Sequence, residues 1–287
     1  MFSSRFMLNI ALFSLLLILV TSVLISRQQP PALSAFSPLK PNDITSLQIS
    51  YNNITTEIIK TDHHWQITKP LSIEADKFRL QAILNILNTN PSTHYQIEAK
   101  HYKKYSLQPP QAQLRLNQQS FIFGSTSAVN NKRYVLTNNK LFLIEDSFFP
   151  LFTSGYTNLM RRQLFHSRTN INEIQIANKR VFQNQQGSWQ STHHAISADQ
   201  LKQFVDNWLH IQAYSVSRAQ APFSGTKVFI KTADNQSMER IVSKTDFNTV
   251  VIDPQRQLSY QFDLKAYDSL TDFGFYEPQN SADNTKR

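Results

Sequence analysis

From residue 44 onward, apolar side chains come in short groups separated by turn-forming residues, which is typical of β-strands. One group contains Leu47 and the next contains Ile58, and the polar stretch 51–53 lies between them. A third group contains Trp65 and ends before Pro70, because proline cannot donate to a strand ladder. The pattern predicts three consecutive short strands.

The spacing then changes to that of a helix. Asp76 offers a side-chain oxygen to a helix N-terminus, and Pro91 ends the pattern. The apolar positions between them recur at the spacing of one helix face: Leu80, Ile83, Leu84 and Leu87. We therefore expect one amphipathic helix after the Trp65 strand.

The same order of elements recurs in the second half of the chain. Two apolar groups flank a turn near Asn178, and a second Trp-Gln pair follows at Trp189. Ser197 and Gln200 have the spacing of a capping box. The helical face that follows consists of Leu201, Phe204, Val205, Trp208 and Leu209. This recurrence indicates an internal duplication, so we expect the same topology around both Trp-Gln pairs.

Each predicted helix is followed by four further strand-like groups. In the first half these are 114–116, 121–123, 133–136 and 141–144, and in the second half they are 227–230, 241–242, 249–252 and 260–262. We therefore predict an α+β fold, with an N-terminal transmembrane helix followed by two tandem repeats. Each repeat is expected to be a mainly antiparallel sheet with one amphipathic helix.

The N-terminus carries the longest apolar run of the chain. Residues 6–25 have no charge, and as a helix they would span about 30 Å, the thickness of a bilayer's hydrocarbon core. A cleaved signal peptide is the alternative, although its apolar region is usually shorter. We expect an uncleaved single-pass anchor in a bacterial inner membrane, with a cytoplasmic N-terminus and a periplasmic bulk.

These patterns divide the chain into six segments. We predict an anchor at 1–27, a proline-rich tether at 28–43, a first α+β repeat at 44–150, a connector at 151–170, a second α+β repeat at 171–271 and a flexible tail at 272–287. The pattern leaves open whether the repeats share one sheet or form two domains.

Composition excludes several classes of site. The 287 residues include no cysteine, which rules out disulfides, thiolate metal sites and cysteine nucleophiles. The five glycines are not clustered, which argues against a phosphate-cradling loop. The net charge of +9 comes from scattered basic residues, apart from Lys100–Lys104 and Arg161-Arg162. For an exported domain this is typical of a basic surface near a membrane, with contact to anionic lipid or acidic envelope polymer as the alternative, and it argues against nucleic-acid binding.

Several of these phrases resemble domain-of-unknown-function family 4340. The residues that carry the resemblance are Ile44, Leu47 and Ile49 of the opening strand, Trp65, the approach from Pro70 to Asp76, the phrase Tyr105-Ser106-Leu107-Gln108-Pro109, and the pairs Phe123-Gly124, Tyr134-Val135 and Arg162 with Leu164. Ser106 departs from the pattern, because glycine is common there. The likeness runs from about 44 to 165, with a weaker continuation to 270. The resemblance implies membrane-anchored envelope proteins without an established activity, often accompanying ABC-transporter components of the gliding-motility type.

Histidine pairs are the first candidates for chemistry. His63-His64 precede one Trp-Gln pair and His193-His194 follow the other, so they do not occupy matching places. Adjacent residues on a strand point to opposite faces, so neither pair is suited to chelate one ion. His94 and His101 lie near Glu98, without a helical ligand spacing. We predict no metal site and no cofactor.

Carboxylates and arginines are the remaining candidates. Glu145-Asp146, Asp263 and Asp268 could form an acid pair only if the fold brings two of them together. The nucleophile motif of serine hydrolases is absent from the sequence. Arg133, Arg161 and Arg162 are candidates for an anion site or for a basic rim. We predict no catalytic residue.

Three functions remain. The leading hypothesis is a non-catalytic, membrane-anchored periplasmic interaction module, an accessory of an ABC-transporter-like complex with protein partners in the envelope. The second is a basic ectodomain that binds an envelope polymer or anionic lipid. The third is a hydrolase, which requires a pocket where polar and titratable groups converge. The sequence gives no oligomeric state.

Overall fold

A computed structural model describes residues 12–22, 36–62, 64–91, 94–166, 168–192 and 196–272. Residues 12–22 form a helix, α1, whose large apolar side chains are exposed. Within the described ranges, no helix is both long and apolar enough to cross a membrane. The other residues of the predicted span 6–25 lie outside these ranges, so the transmembrane helix stays a prediction.

Nine strands form the first sheet, in the order β4-β3-β2-β1-β6-β7-β8-β9-β5. The strands are β1 (Ser46–Tyr51), β2 (Ile54–Thr61), β3 (His64–Lys69), β4 (Ile73–Glu74), β5 (His94–Gln96), β6 (Ala112–Leu116), β7 (Gln119–Thr126), β8 (Arg133–Thr137) and β9 (Lys140–Ile144). All neighbouring strands pair antiparallel.

Eight strands form the second sheet, in the order β12-β11-β10-β14-β15-β16-β17-β13. The strands are β10 (Ile171–Ile176), β11 (Lys179–Gln183), β12 (Trp189–Ser191), β13 (Ser215–Arg218), β14 (Thr226–Thr232), β15 (Ser237–Lys244), β16 (Thr249–Asp253) and β17 (Leu258–Phe262). They too pair antiparallel, which confirms the predicted α+β class with antiparallel sheets.

The two sheets have the same connectivity. In each, a three-stranded meander is followed by a helix, a short strand at the far edge and a four-stranded meander that pairs with the first strand. The only difference among the described strands is β4, which extends the first sheet beyond β3. Trp65 in β3 and Trp189 in β12 therefore occupy equivalent strands, as the sequence predicts.

Helix α2 (Lys77–Leu84) follows β4 and helix α4 (Ala198–His210) follows β12. Asp76 caps α2 by accepting hydrogen bonds from the backbone of Phe78 and Arg79. Ser197 caps α4, and the predicted capping box with Gln200 is formed. Two shorter helices, α3 (Phe149–Thr153) and α5 (Ala266–Thr271), close the two halves.

Local turn chemistry agrees with these boundaries. The hairpins β1–β2 and β8–β9 turn through the pairs Asn52-Asn53 and Asn138-Asn139, all at positive φ. Asparagine tolerates this conformation, which two-residue hairpin turns require. Ser106 also lies in the left-handed region, with φ 56° and ψ 35°. The backbone there suits glycine, which explains why glycine is common at this position.

Buried side chains of both halves belong to one continuous core. Phe36 is part of it and packs against Phe121 and Phe142, although it lies inside the predicted tether. Ser37 donates to Gln119 on β7 at 2.8 Å. The described end of the tether is therefore attached to the first sheet, because a large aromatic side chain is stabilised by burial there.

Candidate functional site

The connector between the sheets is held by backbone hydrogen bonds to both halves. Asp76 N donates to Leu159 O at 2.8 Å, and Arg161 N donates to Glu74 O at 3.0 Å. On the other side, Ala213 N donates to Arg162 O at 3.0 Å. Residues 159–163 therefore form a seam between the first sheet and the segment that follows α4.

A cavity of about 490 Å³ lies at this seam, and we call it the cleft. Its lining comes from the β3–β4 region, from connector residues 161–170, and from β14, β15 and the β16–β17 hairpin. Four of its lining residues are arginines: Arg161, Arg168, Arg240 and Arg256. Small-molecule sites favour such places between structural units, and they have volumes in this range.

A buried ion pair lies at the second-sheet side of the cleft. Arg240 on β15 and Asp253 at the end of β16 have side chains only 2% and 1% exposed, with 3.1 Å between Arg240 Nη2 and Asp253 Oδ2. Arg256, in the following turn, contacts the same carboxylate oxygen at 3.1 Å. Its backbone N–H donates to Asp253 Oδ1 at 3.1 Å. One carboxylate therefore serves two guanidinium groups.

Burial shifts the titration of this region. Desolvation lowers the pKa of Arg240 from its usual value, and the neighbouring charge of Asp253 opposes that shift. Burial also raises the pKa of Tyr260 to about 12, against the opposing charge of Arg240. Tyr260 is therefore neutral at physiological pH, so its hydroxyl can donate a hydrogen bond.

The first-sheet side of the cleft is organised around Glu74. Arg161 Nη1 contacts Glu74 Oε1 at 3.0 Å, and His166 Nε2 lies 3.6 Å from Glu74 Oε2. Arg161 also donates from Nε to Gln163 Oε1 at 2.7 Å. The His166 ring stacks on His64 with 6.4 Å between ring centroids. Glu74 thus orients one arginine and one histidine from the connector.

Apolar surface separates these two polar sides. Leu164 and Phe165 of the connector are buried and line the cleft together with Ile73, Met238 and Tyr260. Phe165 packs edge-on against Trp208 of α4, and the Arg240 guanidinium lies 5.6 Å from the Phe165 ring centroid. The cleft therefore offers an apolar wall beside its cations.

Among the described histidine candidates, His64 stacks on His166 beside Glu74, whereas His94 lies on β5. His63, His193 and His194 lie outside the described residues. His94 is on β5 against the Phe142 ring, and Glu98 is paired with Lys100 at 2.7 Å. Over the described ranges, no group of three metal-ligating side chains occurs.

The predicted acids lie apart from the cleft lining. Asp146 pairs with Arg133, and Glu145 pairs with Lys132 at 3.1 Å. The Asp263 side chain accepts a hydrogen bond from the backbone N–H of Ala266, the first residue of α5. Asp268 Oδ1 lies 3.9 Å from Lys244 Nζ. Each acid has a local structural role at a strand or helix end.

The three predicted arginines have different surroundings. The Arg133 guanidinium carbon lies 3.6 Å from the Phe149 ring centroid. Arg133 also donates hydrogen bonds to Gln111 and to the Gly124 carbonyl, so its contacts are within the first half of the chain. Burial lowers the pKa of Arg162, with Arg79 adding to the shift and Asp76 opposing it. Only Arg161 of the three lines the cleft.

Sequence reasoning missed Arg240, Arg256 and Glu74. The available signal was Arg240 itself, which lies between the apolar residues Met238 and Val242 on one face of β15. A charged residue at such a position needs a buried partner. Its partner, Asp253, lies on the adjacent strand, so strand register was required to find the pair.

Chemically, the cleft combines paired cations, hydrogen-bond donors and an apolar wall. The hydrolase hypothesis requires a pocket where polar and titratable groups come together, and the cleft is such a pocket. Both oxygens of Glu74 are already engaged, and Asp234 accepts from Thr232 Oγ1. These contacts favour recognition of a negatively charged group over attack by a lining carboxylate.

Comparison with known proteins gives one match. Residues 65–263 match the family described as Domain of unknown function (DUF4340). No curated protein and no solved structure matches the chain significantly. The matched region extends from β3 past β17, so it includes most of both sheets and the whole connector. Because the match covers well over half of the sequence, the chain belongs to the DUF4340 family.

Proposed function

We propose that the protein is a membrane-anchored, non-catalytic interaction module of the bacterial cell envelope. In this proposal the cleft is the place where it receives what it binds. The single observation that carries it is the composition of the cleft, which is walled by both sheets and by the connector between them. A site of this kind exists only when the two halves are packed together.

The shared strand order supports a tandem-repeat origin for this arrangement. Both sheets have the same connectivity, and both place a Trp-containing strand before a capped helix. A single ancestral unit, copied once, would give two such sheets and a new seam where no site existed before. The cleft then belongs to the pair and not to either repeat.

An anchor at residues 6–25 would tether the first sheet to the inner membrane. Phe36 is fixed in the first sheet, and the chain from Ile25 to Phe36 reaches at most about 40 Å when fully extended. With the N-terminus cytoplasmic, Phe36 and the part of the first sheet that it contacts would lie in the periplasm within that distance of the bilayer. This position suits an accessory of an ABC-transporter-like complex, as the family resemblance implies.

Site-specific photocrosslinking in intact cells tests the proposal. A photoreactive amino acid at exposed Arg168, which lines the cleft, should give a discrete covalent adduct with a membrane or periplasmic partner. The same amino acid at Val129, which is 94% exposed and does not line the cleft, is the control. Equal adduct patterns from both positions, or none from either, would contradict the cleft as the place where a partner binds.

The location is tested separately. A C-terminal alkaline phosphatase fusion should be active, because that enzyme folds only after export, and the fusion protein should stay in the membrane pellet after an alkaline carbonate wash. An inactive fusion, or release by the wash, would contradict the proposed anchored and exported state.

A further inference from the structure

We propose that the cleft binds an oxyanion, a phosphate or carboxylate group carried on a small apolar body. The inference names the ligand chemistry of the cleft and rests on the proposed function for the place of binding. It starts from Arg240, whose side chain is only 2% exposed and whose Nε has no hydrogen-bond acceptor among the described residues.

The other donors of Arg240 are engaged. Nη1 donates to the Glu239 carbonyl at 2.7 Å, and Nη2 contacts Asp253 and the Met238 sulfur. A buried, charged donor without an acceptor is costly, and proteins normally satisfy it. Arg240 lines the cleft, so a ligand in the cleft can supply the missing acceptor.

Charge points to an anion as that ligand. The four arginines of the cleft face three nearby carboxylates, those of Glu74, Asp234 and Asp253. Asp253 is shared by two arginines, and no described carboxylate lies within salt-bridge distance of Arg168. A partly enclosed site with excess positive charge attracts and concentrates anions. Guanidinium groups match the paired oxygens of phosphate and carboxylate.

The apolar wall defines the rest of the ligand. Leu164 and Phe165 are buried beside the cations, and Ile73 and Met238 extend the wall. A bare inorganic anion would leave the partly exposed side chains of Ile73 and Met238 in contact with water. An aromatic or aliphatic body attached to the oxyanion would cover them, and a cavity of about 490 Å³ accommodates a small molecule or a lipid headgroup with its first carbons.

Isothermal titration calorimetry on the full chain in a non-ionic detergent tests the inference. The probe is phenyl phosphate, compared with benzyl alcohol, which lacks the oxyanion, and with inorganic phosphate, which lacks the apolar body. We expect phenyl phosphate to bind most tightly, with an affinity that falls as salt is raised, and benzyl alcohol not to bind. Absence of phenyl phosphate binding at millimolar concentration would overturn the inference.

Variants place the binding in the cleft. Arg168→Gln and Arg256→Gln change exposed side chains, so both proteins should fold, and each should weaken phenyl phosphate binding by about tenfold or more. Arg115→Gln, an exposed arginine on β6 that does not line the cleft, is the matched control and should bind as the wild type does. Equal affinities in all four proteins would overturn the assignment to the cleft.

A competition arm distinguishes the two sources of such a group. Displacement of phenyl phosphate by soluble dihexanoyl-phosphatidylglycerol supports the inference with a lipid headgroup as ligand. Failure to compete, with phenyl phosphate still bound, supports it with a free small molecule. If phenyl phosphate binds but no partner is crosslinked, the proposed interaction role is overturned and the oxyanion inference stands. If a partner is crosslinked but phenyl phosphate does not bind, the oxyanion inference is overturned and the interaction role stands.

Discussion

Replacing Asp253 with asparagine removes the negative charge between two arginines and changes little else. The carboxylate and its partner Arg240 are 1% and 2% exposed, so water cannot replace the lost charge. Removing one member of a buried pair typically costs about 3–5 kcal/mol, because the other charge stays buried and uncompensated. We therefore expect Asp253→Asn to lower the free energy of unfolding by about 3–5 kcal/mol.

The structure also predicts an asymmetry between the two partners. In the Arg240→Met variant, Asp253 still has its ion pair with Arg256, which is 3.1 Å long in the wild type. The substitution also removes the Arg240 Nε, which has no hydrogen-bond partner in the part of the chain that the structure describes. The cost should therefore be smaller, about 1–2 kcal/mol. The double variant Arg240→Met/Asp253→Asn should recover most of the loss, because uncharged side chains of similar size can fill the site.

Urea unfolding of the full chain in non-ionic detergent, followed by tryptophan fluorescence, measures these differences. Trp208 is fully buried and reports on the second sheet's helix, where its Nε1 donates to Leu270 O at 3.1 Å. A loss below 1 kcal/mol for Asp253→Asn, or a larger loss for Arg240→Met, would refute the reasoning that Asp253 neutralises the buried arginine.

Four further variants test separate parts of the structure. Burial raises the pKa of Tyr260 from about 10 to about 12, so the unfolded chain loses this proton at lower pH than the folded protein does. The free energy of unfolding should therefore fall by about 2–3 kcal/mol between pH 10 and pH 12. Tyr260→Phe should abolish that fall in urea unfolding measured at a series of pH values. Ser106→Gly should raise the free energy of unfolding by about 0.5–1 kcal/mol, since serine is strained at φ 56°. Asp76→Ala and Ser197→Ala should each cost about 1 kcal/mol by loss of an equivalent helix cap, and a negligible cost for either would contradict its role.

Much of the fold was predictable because its signals are local. Asp76 and Ser197 mark helix starts because their side chains accept hydrogen bonds from backbone N–H groups two or three residues later. The Asn52-Asn53 turn likewise needs only neighbouring residues. The short edge strands β5 and β13 were missed, since three or four residues carry no measurable periodicity. The burial of Phe36 was missed as well, because its pocket is made by strands distant in sequence.

The cleft was only partly predictable. Arg161 was a candidate anion ligand on sequence alone, because it belongs to a basic pair in the connector. Arg240 and Asp253 pair across two strands, and their register depends on the whole second sheet. Glu74 enters the site because the connector returns to the end of β4. Sites built at a seam depend on tertiary contacts, which local patterns do not encode.

The most direct test of the cleft as the binding site is the arginine Nε–H spectrum of the full chain with ¹⁵N-labelled arginine. The Arg240 resonance, assigned by its absence from the Arg240→Lys spectrum, should shift on addition of phenyl phosphate, and its exchange with water should slow as Nε gains an acceptor. The Arg115 resonance should not move. An Arg240 resonance that stays unchanged at saturating phenyl phosphate would show that the cleft does not hold the anion.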